Sequence, residues 1–200
     1  MMNVVLVDSG GANLGSVRFA LQRLGVEARL SGEARLIEGA DRVILPGVGT
    51  ASRVMGRLRE LGLVDCLRAL RVPLLGVCVG MQVLYDASEE GQVECLGLIP
   101  GTVARLAATP ALRVPHMGWN TLQPLRASSL GEGIEAGQHA YFVHGYAAPV
   151  GADCLISSSH GADFAAVVQR GNVGGAQFHP ERSSTVGARL LRNFLERGLA

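Results

Sequence analysis

The sequence predicts an α/β protein: a doubly wound, mostly parallel sheet flanked by helices, with an additional antiparallel β section, in one domain over residues 1–200. Three observations carry this expectation. Short apolar runs alternate with helical stretches through the first half of the chain, the pattern of parallel strands joined by right-handed crossovers. Those runs end in tight glycine-rich corners, Asp8-Ser-Gly-Gly11, Pro46-Gly-Val-Gly49 and Gly76-Val-Cys-Val-Gly80. From about residue 93 to residue 169 the pattern changes to short β-like pieces separated by loops, which reads as antiparallel pairing in a second sheet or beside the parallel one.

Taken in order, residues 3–7 form an apolar run ended by Asp8, a buried first strand and its turn. Asn13 is placed to cap a helix whose stripe is Leu14, Val17, Phe19, Ala20, Leu21 and Leu24, with Gly25 as its stop. Residues 26–30 read as a second strand and 43–45 as a third, running directly into Pro46. Residues 50–70 are helical with a break around Gly62, and Pro73 precedes the strand that carries Cys78. The antiparallel pieces are residues 101–106, 113–121, 139–146, 154–159 and 164–169. Residues 173–178 return to an apolar run, and 184–197 close the chain as an amphipathic helix on Val186, Leu190, Leu191, Phe194 and Leu195. Ligands in such sheets bind beyond the carboxyl ends of the strands, so Gly47, Cys78 and His179 are expected on one rim.

Composition narrows the chemistry. A formal net charge of +1 gives no electrostatic reason to expect nucleic acid or an anionic membrane as partner. All 18 basic residues are arginine, which excludes a lysine-bearing phosphate loop, a Schiff-base lysine and a lysine general base. The four cysteines are widely spaced and the five histidines lack ligand spacing, so neither a metal nor a redox pair is expected, and no cofactor. Without a signal peptide or a long apolar stretch, the expected setting is the cytoplasm.

Gly76 and Gly80 flank Cys78 two residues to either side, the pattern of a nucleophile elbow with cysteine in place of serine. A nucleophile at such a strand-to-helix corner takes a strained backbone, and side chains two positions away would clash. The plain alternative is a buried structural cysteine in a glycine-rich turn. Downstream, Gln177-Phe-His-Pro-Glu181 places His179 just after a strand, with Pro180 preventing the ladder from running through it. Glu181 is within reach of the far ring nitrogen, so Cys78, His179 and Glu181 make a candidate triad.

Together, Gly76-Val-Cys-Val-Gly-Met-Gln82 and Gln177-Phe-His-Pro-Glu181 resemble the class I, triad-type glutamine amidotransferases. Within that superfamily, Pro46-Gly-Val-Gly49, Pro115-His-Met-Gly-Trp-Asn120 and Tyr141-Phe-Val-His-Gly-Tyr146 narrow the resemblance to the glutaminase subunits of imidazole glycerol phosphate synthase. The resemblance runs the length of the chain. It implies that Cys78 attacks the side-chain amide of L-glutamine, with His179 as base and then acid and Glu181 orienting it. The N–H groups of Val48 and Val79 would form the oxyanion hole, Gly49 and Gln82 would contact the substrate, and the Val48 peptide would reorient with the state of the partner. That partner is a (β/α)8 cyclase subunit, which receives the ammonia and makes imidazole glycerol phosphate and an aminoimidazole carboxamide ribotide for histidine biosynthesis. Asn13, Trp119, Tyr141 and Arg182 would lie near the subunit interface. Trp119 has a bland alternative as a core residue beside Met117. The chain departs from the family pattern at Ser9, where an aromatic is usual, at Ala12, where glycine is, at Gly145 and at Arg182. Three competing functions remain: the glutaminase of another ammonia-channelling synthase, such as those of pyridoxal phosphate or guanylate synthesis, a non-catalytic regulatory subunit on the same fold, and a free-standing cysteine hydrolase active without a partner.

Overall fold

A computed structural model describes residues 2–11, 14–110 and 112–199 of the chain. Strand β1 (Val4–Val7) is buried at every position. The Asp8–Gly11 turn leads to helix α1 (Leu14–Arg23), which buries Val17, Ala20 and Leu21. Phe19, expected in that stripe, is 62% exposed. At about 100° per residue, it falls off the 17–20–21–24 face and points to solvent. Asn13, the expected cap, lies outside the described residues.

Strand β2 (Ala28–Ser31), helix α2 (Ala34–Glu38) and strand β3 (Arg42–Gly47) follow. The expected helix over 50–70 is two helices, α3 (Ala51–Glu60) and α4 (Val64–Ala69), parted at Gly62, whose φ of +65° is the left-handed geometry glycine tolerates. The Thr50 hydroxyl caps α3 by accepting from the Arg53 N–H at 3.3 Å. Strand β4 (Leu74–Cys78) is buried throughout and runs without a loop into the single turn of α5 (Val79–Gln82).

The middle of the chain carries strands β5 (Tyr85–Ser88), β6 (Val93–Glu94), β7 (Ile99–Arg105), β8 (His116–Thr121), β9 (Gln123–Pro124), β10 (His139–His144), β11 (Tyr146–Ala147), β12 (Cys154–His160) and β13 (Ala162–Arg170). Strand β14 (Val173–Ala176), a 3-10 turn over Pro180–Arg182 and helix α6 (Ser184–Arg197) complete it. Helix α6 buries the five apolar residues its periodicity marks.

The main sheet has eight strands in the order β2-β1-β3-β4-β14-β13-β12-β9. The first five pair in parallel and the last three antiparallel. Two smaller sheets accompany it, the β8–β10 ribbon and a four-stranded sheet β11-β7-β5-β6. The expected antiparallel section is therefore both an extension of the parallel sheet and separate sheets, except that β5 and β7 of the four-stranded sheet pair in parallel. No helix among the described residues is long and apolar enough to cross a membrane. Among the described residues, no group of three or more His, Cys, Asp or Glu side chains is arranged to hold a metal.

Candidate active site

Register places the site. Gly47 at the end of β3 lies opposite Cys78 at the end of β4, and Ala176 at the end of β14 lies opposite Val77. Three adjacent parallel strands thus finish side by side, and their carboxyl ends present Gly47, Cys78 and His179 on one rim, as expected.

Cys78 has φ +55° and ψ −115°, a conformation that costs a non-glycine residue on the order of 1–3 kcal/mol. Close backbone approach makes the corner possible. A Cβ at Gly76 would lie 2.6 Å from the Gly80 carbonyl oxygen, and one at Gly80 would collide with the Leu45 carbonyl oxygen. Gly47 is as confined, since its Cβ would collide with the Gly80 nitrogen. The sequence pairing of Gly76 with Gly80 therefore reflects two distinct contacts across one corner, and Gly47 supplies a third. Cys78 is 4% exposed. Its Sγ donates to the Val143 carbonyl at 3.8 Å and accepts from Gln177 Nε2 at 4.0 Å.

His179 stands between β14 and the 3-10 turn that Pro180 begins, in extended conformation (φ −94°, ψ 99°). Its backbone is tied from both sides: the His179 N–H donates to the Tyr141 carbonyl at 3.0 Å, and the Ser183 hydroxyl donates to the His179 carbonyl at 2.7 Å. The ring Nδ1 pairs with Glu181 Oε1 at 2.9 Å, with the Glu181 side chain 1% exposed. That bond leaves Nε2 as the ring nitrogen available to Cys78. Burial works against a charged His179, but the attraction of Cys78 and Glu181 outweighs it and raises the proton affinity of the ring. A histidine so placed can take a proton from the thiol and hold it beside the sulfur.

The expected oxyanion donors come from two elements that touch. Val79 is the first residue of α5, so its N–H has no partner within that helix. Val48 follows β3 in the Pro46–Gly49 segment, and Gly49 has φ +91°. The turn after β1 lies against this segment: the Ser9 hydroxyl donates to the Pro46 carbonyl at 2.5 Å, and a Cβ at Gly11 would lie 2.5 Å from Val48 Cγ2. Arg57 of α3 braces the turn through Asp8 at 2.7 Å, and this pairing holds the Asp8 carboxyl below its usual range. Sequence reasoning did not connect Ser9, Asp8 and Arg57 to the site, because nothing local marks residues so far apart as neighbours.

Gln82 differs from the expectation of a simple substrate contact. Its side chain is 2% exposed, and its amide donates inward to the Tyr146 carbonyl at 2.8 Å and to Gln177 Oε1 at 3.0 Å. Both N–H groups are thus committed to the protein. Gln177 was within reach of sequence reasoning, since it lies two residues before His179 in the same motif.

Trp119, Tyr141 and Arg182 form one cluster beside the triad. Trp119 and Tyr141 face each other across the β8–β10 ribbon, edge to face at 5.9 Å, and the Arg182 guanidinium lies 5.3 Å from the centre of the Tyr141 ring. Trp119 is 53% exposed and Met117 65%, so the alternative of a core tryptophan beside Met117 does not hold.

Comparisons with known proteins agree with this architecture. The model of the family "Glutamine amidotransferase class-I" matches residues 5–197. The imidazole glycerol phosphate synthase subunit HisH of Xanthomonas euvesicatoria pv. vesicatoria (strain 85-10) is 61% identical over 196 residues, 98% of either chain. The protein of that name from Xylella fastidiosa (strain Temecula1 / ATCC 700964) is 60% identical over the same share of both chains. Among solved structures, a glutamine amidotransferase superposes with a TM-score of 0.75 at 26% identity, covering 96% of this chain and 97% of the other. One from Thermotoga maritima, at 16% identity and a TM-score of 0.64 over 97% and 83% of the chains, shares the fold. With a family model spanning nearly its whole length and relatives at such identity, the chain belongs to the class I glutamine amidotransferases and, within them, to the HisH subunits of imidazole glycerol phosphate synthase.

Proposed function

We propose that this subunit hydrolyses L-glutamine to glutamate and ammonia for imidazole glycerol phosphate synthase, in histidine biosynthesis, with Cys78 as nucleophile. The observation that carries the reading is the strained, glycine-confined Cys78 on one rim with a histidine whose Nδ1 is held by a buried carboxylate. His179 takes the thiol proton as sulfur attacks the amide carbon, and returns it to the departing nitrogen. That step gives ammonia and a γ-glutamyl thioester. Water, activated by the same ring, then cleaves the thioester to glutamate and regenerates the thiol. The N–H groups of Val48 and Val79 stabilise the tetrahedral oxyanion, with removal of one such donor costing on the order of 100-fold in rate. Gly49, by its position beside Val48, and the corner carrying Gln82 shape the glutamine pocket.

Ammonia is useful to this enzyme only if it is passed on. The proposed recipient is a (β/α)8 cyclase subunit, docked on the surface that holds Trp119, Tyr141 and Arg182. The support for this surface is an exposed aromatic pair beside the triad, the kind of anchor that dominates interfaces. A non-catalytic subunit would have no use for the triad geometry, so the regulatory reading falls behind.

Glutamate release by the chain should be weak alone and strongly stimulated by the cyclase subunit with its nucleotide ligand. Robust hydrolysis without the partner would refute gating. Cys78→Ala should abolish glutamine-dependent synthesis while leaving synthesis from ammonium salt intact. Survival of glutamine turnover in that variant would remove Cys78 from the mechanism.

A further inference from the structure

A polar thread runs through the protein from the β8 ribbon to the nucleophile, and its direction can be worked out bond by bond. Asn120 accepts from the Thr121 N–H on Oδ1 at 2.8 Å and donates from Nδ2 to the Ser159 carbonyl at 2.8 Å, so its amide has one orientation. Nδ2 also lies 3.2 Å from His116 Nε2, which must therefore accept. His116 then carries its proton on Nδ1 and donates it to His144 Nε2 at 3.0 Å. His144 in turn carries its proton on Nδ1 and donates to the Tyr146 carbonyl at 2.9 Å. That carbonyl also receives a bond from Gln82, whose second N–H meets Gln177 Oε1. With its oxygen occupied, Gln177 presents its Nε2 to Cys78 Sγ.

Every side chain whose polar atoms carry the thread beyond Asn120 is almost wholly buried: His116 and His144 are 5% exposed, Gln82 2% and Gln177 0%. The aromatic rings of Phe142 and Phe164 pack around the two histidines. Burial holds both histidines in their neutral forms, which the one-way chain of bonds requires. A hydrogen-bonded polar thread in such a setting adds little net stability over apolar side chains of the same shape. What apolar side chains cannot supply is orientation of an amide at the sulfur.

We propose that Gln177 is a positioning residue for Cys78 Sγ, and that the Asn120–His116–His144 thread sets its orientation through the Tyr146 carbonyl and Gln82, joining the exposed β8 ribbon to the nucleophile as one hydrogen-bonded unit. The inference rests on Cys78 being the nucleophile. A group held to the sulfur from the side affects how often thiol and amide meet in reacting geometry, so its loss belongs in kcat rather than KM.

The test uses the assembled complex with the cyclase subunit and measures glutamate release, with fold and assembly checked by circular dichroism and gel filtration. His144→Phe keeps volume and aromaticity and removes both bonds. It should lower kcat about tenfold with KM for glutamine within about twofold. His144→Gln, which restores a donor and an acceptor, should recover most of the loss. Gln177→Met should resemble His144→Phe, and the double variant should be no worse than the poorer single. A folded His144→Phe complex with unchanged kcat, a loss carried wholly in KM, or single losses that multiply in the double variant would each overturn the thread. Should His144→Phe not fold, Asn120→Ala reads the same way: a kcat loss at constant KM supports the proposal and an unchanged kcat overturns it. Cys78→Ala separates the two ideas, since glutamine turnover surviving there defeats the nucleophile assignment itself.

Discussion

Gly80 occupies the first turn after Cys78, where an added methyl group would strike the carbonyl oxygen of Leu45 in the neighbouring strand. Both partners are backbone, so no rotamer change relieves the clash. Gly80→Ala should lower stability by about 3 kcal/mol or more and abolish glutaminase activity. Gly56→Ala, in α3 with nothing within 4 Å of the new Cβ, should instead stabilise by about 0.5–1 kcal/mol. Urea denaturation of the two variants checks both signs, and equal behaviour would deny the corner its special packing. The same corner shows what single residues disclose. Cys78, His179 and Glu181 are legible because their motifs are local: glycines two positions away, a proline next door, a carboxylate two residues on. His116 and His144, 28 residues apart, bond to each other only because β8 and β10 pair. Nothing in their spacing announces it, so the four histidines other than His179 read as unremarkable.

The β8–β10 ribbon is the element on which the partner reading stands. Along β8, His116 is buried while Met117 and Trp119 are exposed, so one face meets the core and the other meets solvent. Trp119→Ala should therefore leave the subunit's unfolding free energy within about 0.5 kcal/mol of the parent, as for a surface change. Affinity for the cyclase subunit should fall by about 2 kcal/mol, roughly 30-fold, read by titration calorimetry. Unchanged affinity would move the interface elsewhere. Periodicity alone could not choose between core and interface for Trp119, because alternation defines two faces without saying which is covered. Elements such as β1 and β4 were plain for the opposite reason: a strand buried on both sides of a parallel sheet is an unbroken apolar run. The short pair β5 and β6 escaped notice because Tyr85-Asp-Ala-Ser88 and Val93-Glu94 hold too few apolar residues to show a period.

For the molecule as a whole, the buried histidines determine how stability responds to acid. Burial pushes the folded-state value of His116 down to about 4 and that of His144 down to about 3, from an unfolded value near 6.5. Between these limits the unfolded chain binds protons that the folded chain refuses. Stability therefore falls as pH drops below about 6.5, by up to about 1.4 kcal/mol per pH unit for each histidine. His179 has the opposite sign: its raised value gives stability that is complete below the unfolded value and is lost only as pH rises through the folded one. It adds no slope on the acid side. Urea unfolding between pH 6.5 and 5, above the range of ordinary carboxylates, should show this decline, and a folded His144→Phe should flatten it. A flat profile in the parent protein would mean that the two rings titrate freely. The fold class could be read at this scale, but the strand order could not. An apolar run does not name its neighbours, and the insertion of β14 between β4 and β13 has no mark in the sequence.

That insertion has a consequence for synthesis. Strand β4 delivers the cysteine and β14 leads into the histidine, yet residues 79–172 must be made between them. A nascent chain holds Cys78 long before it holds His179, the imidazole proposed to activate it. By the proposed mechanism, a copy that ends before His179 has the nucleophile without its base and leaves glutamine intact.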